Sequence, residues 1–378
     1  DAEAALRYAE IERLMQLETS DLARFHGELA LGFQGQTAEG LISPADLDVA
    51  EGWAERAVES ARKLGQPDLL SAALDGADAI ALGRDDMTKV LEYVAERHAI
   101  EDRVSTPERA DAWIVHAWAE TIRGNLRDAE VAAERARAGL GTGQAASFVL
   151  GATAWRVVAL HALGRWDEAL AEASRAERAL QESELATPWY SFNGFIAAVA
   201  VARARNDTVG ADYWKNLMLR LVERENPGAR TRAMVGYLTG DLDSLAQGTV
   251  HRFTDFSPRL DYIHLAAGLL ADRRHPVDAV PLGKLIDYAD SKGLRLISAQ
   301  SRRLRGLVTG DAEDLRIALD EFDAMGARPY AARVRTELGA SMADRDMADR
   351  GLDELEALGD VEQAARVAAE RREAAKPA

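Results

Sequence analysis

Residues 110–140 read ADAWIVHAWAETIRGNLRDAEVAAERARAGL, and residues 152–180 read ATAWRVVALHALGRWDEALAEASRAERAL. The two stretches are copies of one unit: a helix, a glycine turn and a second, alanine-rich helix. Their turn glycines, Gly124 and Gly164, lie 40 residues apart (164 − 124). After each glycine the spacing repeats, with Leu126 or Trp166 at the second position, Ala129 or Ala169 at the fifth, Ala133 or Ala173 at the ninth, and Ala136 or Ala176 at the twelfth. The last three fall on one helical face, and side chains that small let two helices approach closely. Glycine ends the first helix because the left-handed conformation needed there costs other residues more. Before the turns, Trp113 and Ala117 in one copy, and Trp155, Val158, Ala159 and Ala162 in the other, mark the buried stripe of the first helix.

Outward from this centre the same unit recurs in weaker form. Gly83 stands 41 residues before Gly124 (124 − 83), and Asn206 stands 42 after Gly164 (206 − 164), a turn without glycine. Further turns fall at Gly240, at Arg273–Pro276 and at Gly310. The pattern predicts helices over Asp46–Leu64, Leu69–Leu82, Met87–Ala99, Trp189–Arg205, Val209–Glu225, Leu260–Ala271, Leu294–Val308, Ala312–Met325 and Ala327–Leu338, then two shorter ones to Arg372. Few segments alternate with the period of a strand. The expected fold is all-α: a right-handed α-solenoid of helix–turn–helix repeats of about 40 residues, forming one domain over 1–378. Within it, 1–45 holds N-terminal helices and a loop, 46–310 the main repeats and 311–378 the closing repeats. Loops at 34–45 and 248–258 are the weak points for any boundary.

The repeat resembles the tetratricopeptide repeat (TPR). The residues that carry the resemblance are Ala110–Trp113, Gly124, Ala129 and Ala136 in one copy, and Gly164, Trp166, Ala169 and Ala176 in the next. The period exceeds the usual length of about 34 residues, Glu120 stands where an aromatic is usual, and Trp155 falls about two positions late. The longer unit is more similar to the TPR-like regions of large bacterial regulators. A second stretch, residues 304–339, reads LRGLVTGDAEDLRIALDEFDAMGARPYAARVRTELG. Its run of Leu319, Phe322, Met325 to Arg333 and Leu338 resembles the closing helical repeats of multidomain bacterial signalling proteins. In these, a class III nucleotide cyclase or an ATPase module precedes the repeats, or, in large ATP-dependent LuxR-type regulators of the MalT-like group, a DNA-binding domain follows them. The resemblance implies a role in signal transduction or transcription regulation. It implies no catalysis in these residues, since the chain has no GxxxxGK[ST] phosphate loop and no basic DNA-reading helix–turn–helix.

Bulk properties narrow the function. The net charge is −17 with a pI of about 5.0, which argues against direct nucleic-acid or anionic-membrane binding, because phosphate neutralisation needs clustered Lys and Arg. There are no cysteines, so disulfides, zinc–thiolate sites and thiol nucleophiles are excluded, in keeping with a reducing cytoplasm. The N-terminus lacks the apolar core of a signal peptide, and the longest apolar run, Phe195–Ala202, is far too short to span a bilayer. The chain starts at Asp1 rather than Met, as a piece of something longer would. The expected location is cytoplasmic.

No candidate chemistry stands out. None of the seven histidines (His26, His98, His116, His161, His251, His264 and His275) forms HExxH or an i, i+4 pair, the convergence a metal requires. The acidic pairs Asp85-Asp86, Asp167-Glu168 and Glu313-Asp314 follow turns, where acids suit a helix start. There is no GxSxG elbow. The chain is therefore read as no enzyme, with no cofactor and no metal. The aromatic cluster Trp189, Tyr190, Phe192 and Phe195 reads as a core staple, or alternatively as a peptide anchor.

Function is expected on the concave face. In TPR register, positions thirteen, ten, six and three residues before each turn point inward. These are Asp111, Ile114, Trp118 and Thr121 before Gly124, and Ala154, Val158 and His161 before Gly164. They are Asn193, Ile196, Ala200 and Arg203 before Asn206, and Arg230, Met234 and Tyr237 before Gly240. Asp261, His264 and Gly268 precede Arg274. This mixture of Trp, Tyr, Arg, His and Asn suits a groove for a peptide or partner domain. The alternative is a small-molecule effector site that controls a neighbouring ATPase or DNA-binding domain. An enclosed pocket favours the effector site, and an open groove with exposed aromatics favours the scaffold.

Overall fold

A computed structural model of the chain describes residues 10–16, 20–32, 44–138, 140, 146–182, 191–224, 235–250 and 263–374. These residues are helical between short turns, and no strand occurs among them. In order, the helices are α1 (Asp21–Gly32), α2 (Pro44–Leu64), α3 (Pro67–Gly83), α4 (Met87–His98), α5 (Thr106–Arg123), α6 (Leu126–Ala138), α7 (Ala146–Ala162), α8 (Trp166–Glu182) and α9 (Phe192–Ala204). They continue as α10 (Thr208–Arg224), α11 (Leu242–Val250), α12 (Ile263–Asp272), α13 (Ala279–Ser291), α14 (Arg295–Thr309), α15 (Ala312–Met325), α16 (Arg328–Ser341), α17 (Arg345–Leu358) and α18 (Val361–Ala374). A short helical stretch at 235–239 precedes α11. No described helix is long and apolar enough to cross a membrane.

One turn geometry recurs. At Gly124 (φ 83°) the amide of Asn125 donates to the Glu120 carbonyl at 2.9 Å, and that of Gly124 to the Thr121 carbonyl at 3.0 Å. This pair of bonds satisfies the last carbonyls of the helix. It closes the turns at Asp85, Gly164, Asn206, Arg274 and Ala343 as well. Asp85, Asn206, Arg274 and Ala343 hold φ between 48° and 56° without being glycine, a conformation that costs roughly 1 kcal/mol. Asn206 is thus the turn expected from its spacing. Gly83 is not: it lies inside α3, and the left-handed residue is Asp85. Gly83 has a different reason, since a Cβ there would sit 3.2 Å from Leu47 Cδ2 on α2. From Asp85 onward the left-handed turn residues, with Gly240 and Gly310 between, follow at 39, 40, 42, 34, 34, 36 and 33 residues (124 − 85 through 343 − 310).

The acids after the turns cap the helices that follow. Asp86, Asp278, Asp311 and Asp344 each accept a backbone N–H of the first helical turn, at 2.9–3.0 Å, the standard use of Asp at that position.

Each helix packs on the next, and the first helix of a pair also packs on the first helix of the following pair, as α5 on α7, α7 on α9 and α12 on α14. Ala129, Ala133, Ala136, Ala169, Ala173 and Ala176 are all buried in this stack. The chain then meets itself. α14 lies against α5, α16 against α7 and α18 against α9. Leu126, Ala162 and Leu163 share one apolar cluster with Leu296, Phe322, Met325, Tyr330 and Val334. The Tyr288 hydroxyl donates to Asp85 Oδ2 at 2.6 Å across 203 residues of chain. Two turn glycines lie in this seam. A Cβ on Gly124 would fall 2.2 Å from Met325 Sδ, and one on Gly164 would fall 2.7 Å from Leu358 Cδ2 and 3.3 Å from the Pro329 ring.

Candidate functional site

The return of α16 and α18 over α7 and α9 encloses a cavity of about 30 Å³. Its walls come from α7, α9, the 235–239 stretch, α12, α16 and α18. Four residues of the inward register meet there: His161, Arg203, Tyr237 and His264. Arg203, half-buried, donates to the carbonyls of Tyr237 at 3.0 Å and Leu238 at 2.7 Å. A cation is favoured at such a helix end. Its guanidinium also stands 5.5 Å from the Tyr237 ring. Burial pushes the Tyr237 phenol up to about 12, so it is a neutral hydroxyl.

His161 lies 3.4 Å through Nδ1 from the Tyr330 hydroxyl. Burial first, then the neighbouring Arg333, push its imidazole down to about 3. His264 is fully buried and is pushed down to about 3 by the same desolvation. Neither ring nitrogen of His264 has a hydrogen-bond partner among the described residues. An unpaired buried polar group of this kind costs about 1–3 kcal/mol. The Gln300 carboxamide, packed on Gly268 one turn along α12 from His264, is also buried without a partner.

Behind the cavity runs an ion-pair ladder. Arg333 donates to Asp360 Oδ2 at 2.9 Å and to Asp272 Oδ2 at 2.8 Å. Arg303 donates to Asp272 Oδ1 at 2.6 Å and bidentately to Glu337 at 2.8 and 2.7 Å, and Arg366 reaches Glu337 at 3.4 Å. Three cations thus face three carboxylates, which is how buried charge becomes tolerable. Burial alone would raise the Asp272 carboxyl, but Arg333 and Arg303 more than offset it and hold it below the usual carboxylate range.

The other inner-face candidates lie elsewhere. Asp111 accepts from Arg97 at 2.7 Å, in a cluster where Asp75 and Asp78 contact the same guanidinium at 3.2 Å. Ile114 is buried in the main core, and Trp118 stacks on Trp155 with ring centres 5.4 Å apart. Asn193 is buried on α9. Arg230 lies outside the described residues, as do Trp189 and Tyr190 of the aromatic cluster. Phe192 and Phe195 are core side chains, the latter 5.7 Å from the Trp214 ring.

The acidic pairs are occupied. Asp85 accepts from Tyr288 and Asp86 caps α4. Asp167 pairs with Arg205, Glu168 with Arg165, Glu313 with Arg316 and Asp314 with Arg305. His98 and His116 approach at 3.1 Å between ring nitrogens, stacked about Trp113. Among the described residues, no three His, Asp or Glu side chains converge to hold a metal ion.

Sequence reasoning missed Tyr330, Arg333 and Glu337. They stand thirteen, ten and six residues before Ala343, the inward register again, but a turn built on alanine offers no anchor from which to count. No family model matches the chain, and no curated protein matches it either.

Proposed function

We propose that the chain is a non-catalytic, effector-sensing regulatory module: a right-handed, TPR-like solenoid whose later repeats close over its earlier ones around an interior ligand site. The observation that carries this reading is the enclosure. α14, α16 and α18 cover α5, α7 and α9 and seal in polar side chains, His264 foremost, that lack partners. A ligand bound only in the closed form stabilises it by about 2.7 kcal/mol at a hundred times its Kd. That is enough to shift a seam balanced within a few kcal/mol. Opening would present inner-face residues such as Ile114, Asn193 and Tyr330 to a protein or peptide partner, and closing hides them. A peptide lying along the inner face would therefore compete with the seam. This fits a bacterial cytoplasmic signalling protein in which the solenoid controls an attached or separate output domain.

Hydrogen exchange tests the proposal. Amides of α14, α16 and α18 are expected to exchange more slowly when the small-molecule fraction of a bacterial lysate is added, while those of the outer helices stay unchanged. Exchange along the seam that no fraction alters would count against it.

A further inference from the structure

We infer that the interior cavity is a binding site for a small carboxylate; this rests on the effector-sensing reading and deepens it. Three observations select the ligand class. The first is charge. The cations behind the cavity are matched one for one by Asp272, Glu337 and Asp360, and Arg273 is matched by Glu362 at 2.7 Å. Arg203 is the exception on the wall: it is held only by carbonyl oxygens, and among the described residues no carboxylate lies in ion-pair range of it. The cavity therefore carries one uncompensated positive charge beside two neutral imidazoles.

The second is hydrogen bonding. Both Asp272 oxygens already accept from arginines, so the acceptors on the wall are committed. Donors remain, because Arg203 spends only part of its five N–H groups and each neutral imidazole carries an N–H. His264 has both nitrogens unmatched. An acceptor-rich, negatively charged ligand satisfies Arg203 and His264 together.

The third is size. A cavity of about 30 Å³ has room for roughly two or three water-sized groups. That is the size of one planar carboxylate and less than a tetrahedral oxyanion needs.

The probes are sodium formate and sodium acetate, with chloride and sulfate at matched ionic strength as controls. Thermal unfolding of the full chain is expected to shift upward with formate and acetate, log-linearly at high concentration, and the side-chain signals of His161 and His264 in nitrogen–proton correlation spectra are expected to move. Two variants locate the effect. His264→Leu removes the unmatched imidazole, and Ala200→Leu fills the cavity from α9; neither should respond to acetate. In chloride His264→Leu is expected to melt at or above the wild-type temperature, since an apolar group of similar volume relieves an unpaired polar one.

The inference is overturned if formate and acetate move neither the melting temperature nor the histidine signals of the wild-type chain, if both variants respond like wild type, or if sulfate acts as strongly. Should a variant fail to fold, the wild-type histidine signals still decide. Carboxylate binding without slower seam exchange would remove the regulatory reading and leave the site. A seam that responds to lysate fractions but not to carboxylates would remove the ligand class and leave the reading.

Discussion

Gly164→Ala and Gly310→Ala form a matched pair that isolates the seam. Both glycines end the first helix of a pair in the left-handed region, at φ 78° and 74°. Alanine at either costs about 1 kcal/mol in backbone strain. Their surroundings differ. Nothing lies within 4 Å of a Cβ on Gly310, whereas one on Gly164 meets Leu358 Cδ2 at 2.7 Å and Pro329 Cγ and Cδ at 3.3 Å. The proline ring cannot swing aside, so α16 or α17 must shift. Overpacking of this kind adds about 1–3 kcal/mol. Gly124→Ala should fall between the two, because its 2.2 Å neighbour is the mobile sulfur of Met325. The assay is urea unfolding by far-UV circular dichroism, with hydrogen exchange over residues 295–358. Gly164→Ala should lose at least about 1 kcal/mol more than Gly310→Ala, with faster exchange confined to α14–α17. Equal losses in the two variants, with unchanged exchange in the seam, would refute the contact between distant repeats.

Other consequences follow from the buried charges. Burial, opposed by Arg97 and reinforced by Asp111, pushes the Asp78 carboxyl up to about 8. Between about pH 4 and 8 the folded chain then keeps a proton that the unfolded chain has lost, so stability falls as pH rises through that window; Asp78→Asn should flatten the decline in urea midpoints between pH 6 and 9. His98 is pushed down to about 4 by burial and by His116 and Arg97, and His116 is lowered by burial. The unfolded imidazoles titrate near about 6.5, so stability is lost as pH falls from there towards 4. His98→Phe, which keeps the ring on Trp113, should shrink that acid loss, and an unchanged slope would contradict it. Arg303→Met strands Glu337 in the interior and should cost about 3–5 kcal/mol, with Arg303→Met/Glu337→Met recovering much of it; equal midpoints in the single and double variants would show that the ladder is not a coupled unit.

The helix pairs were legible because Gly124 and Gly164 announce them and because Ala129, Ala133 and Ala136 repeat in helical register. Counting back from the turns also placed His161, Arg203, Tyr237 and His264 on one side of their helices, and these four line one cavity. Their burial was not legible, because it depends on α16 and α18, more than a hundred residues away, and no local pattern encodes that contact. Glycine is ambiguous in the same way. Gly83 exists to admit Leu47 and Gly164 both to turn and to admit Leu358, yet all read alike as a turn residue. Arg274 and Ala343 turn without glycine because the pair of backbone bonds and the packing around them outweigh about 1 kcal/mol of strain. The inward-pointing Tyr330 and Arg333 were hidden with them.

A double-mutant cycle on Asp85 and Tyr288 tests the closure most directly. Their 2.6 Å hydrogen bond joins the end of α3 to α13, and no connection along the chain could couple them. Tyr288→Phe removes the donor; Asp85→Gly removes the acceptor and suits a residue at φ 52°. Hydrogen bonds to charged groups contribute about 1.5–3 kcal/mol, so closure predicts a coupling energy of at least about 1 kcal/mol in urea unfolding. Losses that add within about 0.5 kcal/mol would mean that the two residues do not meet and that the solenoid does not close upon itself.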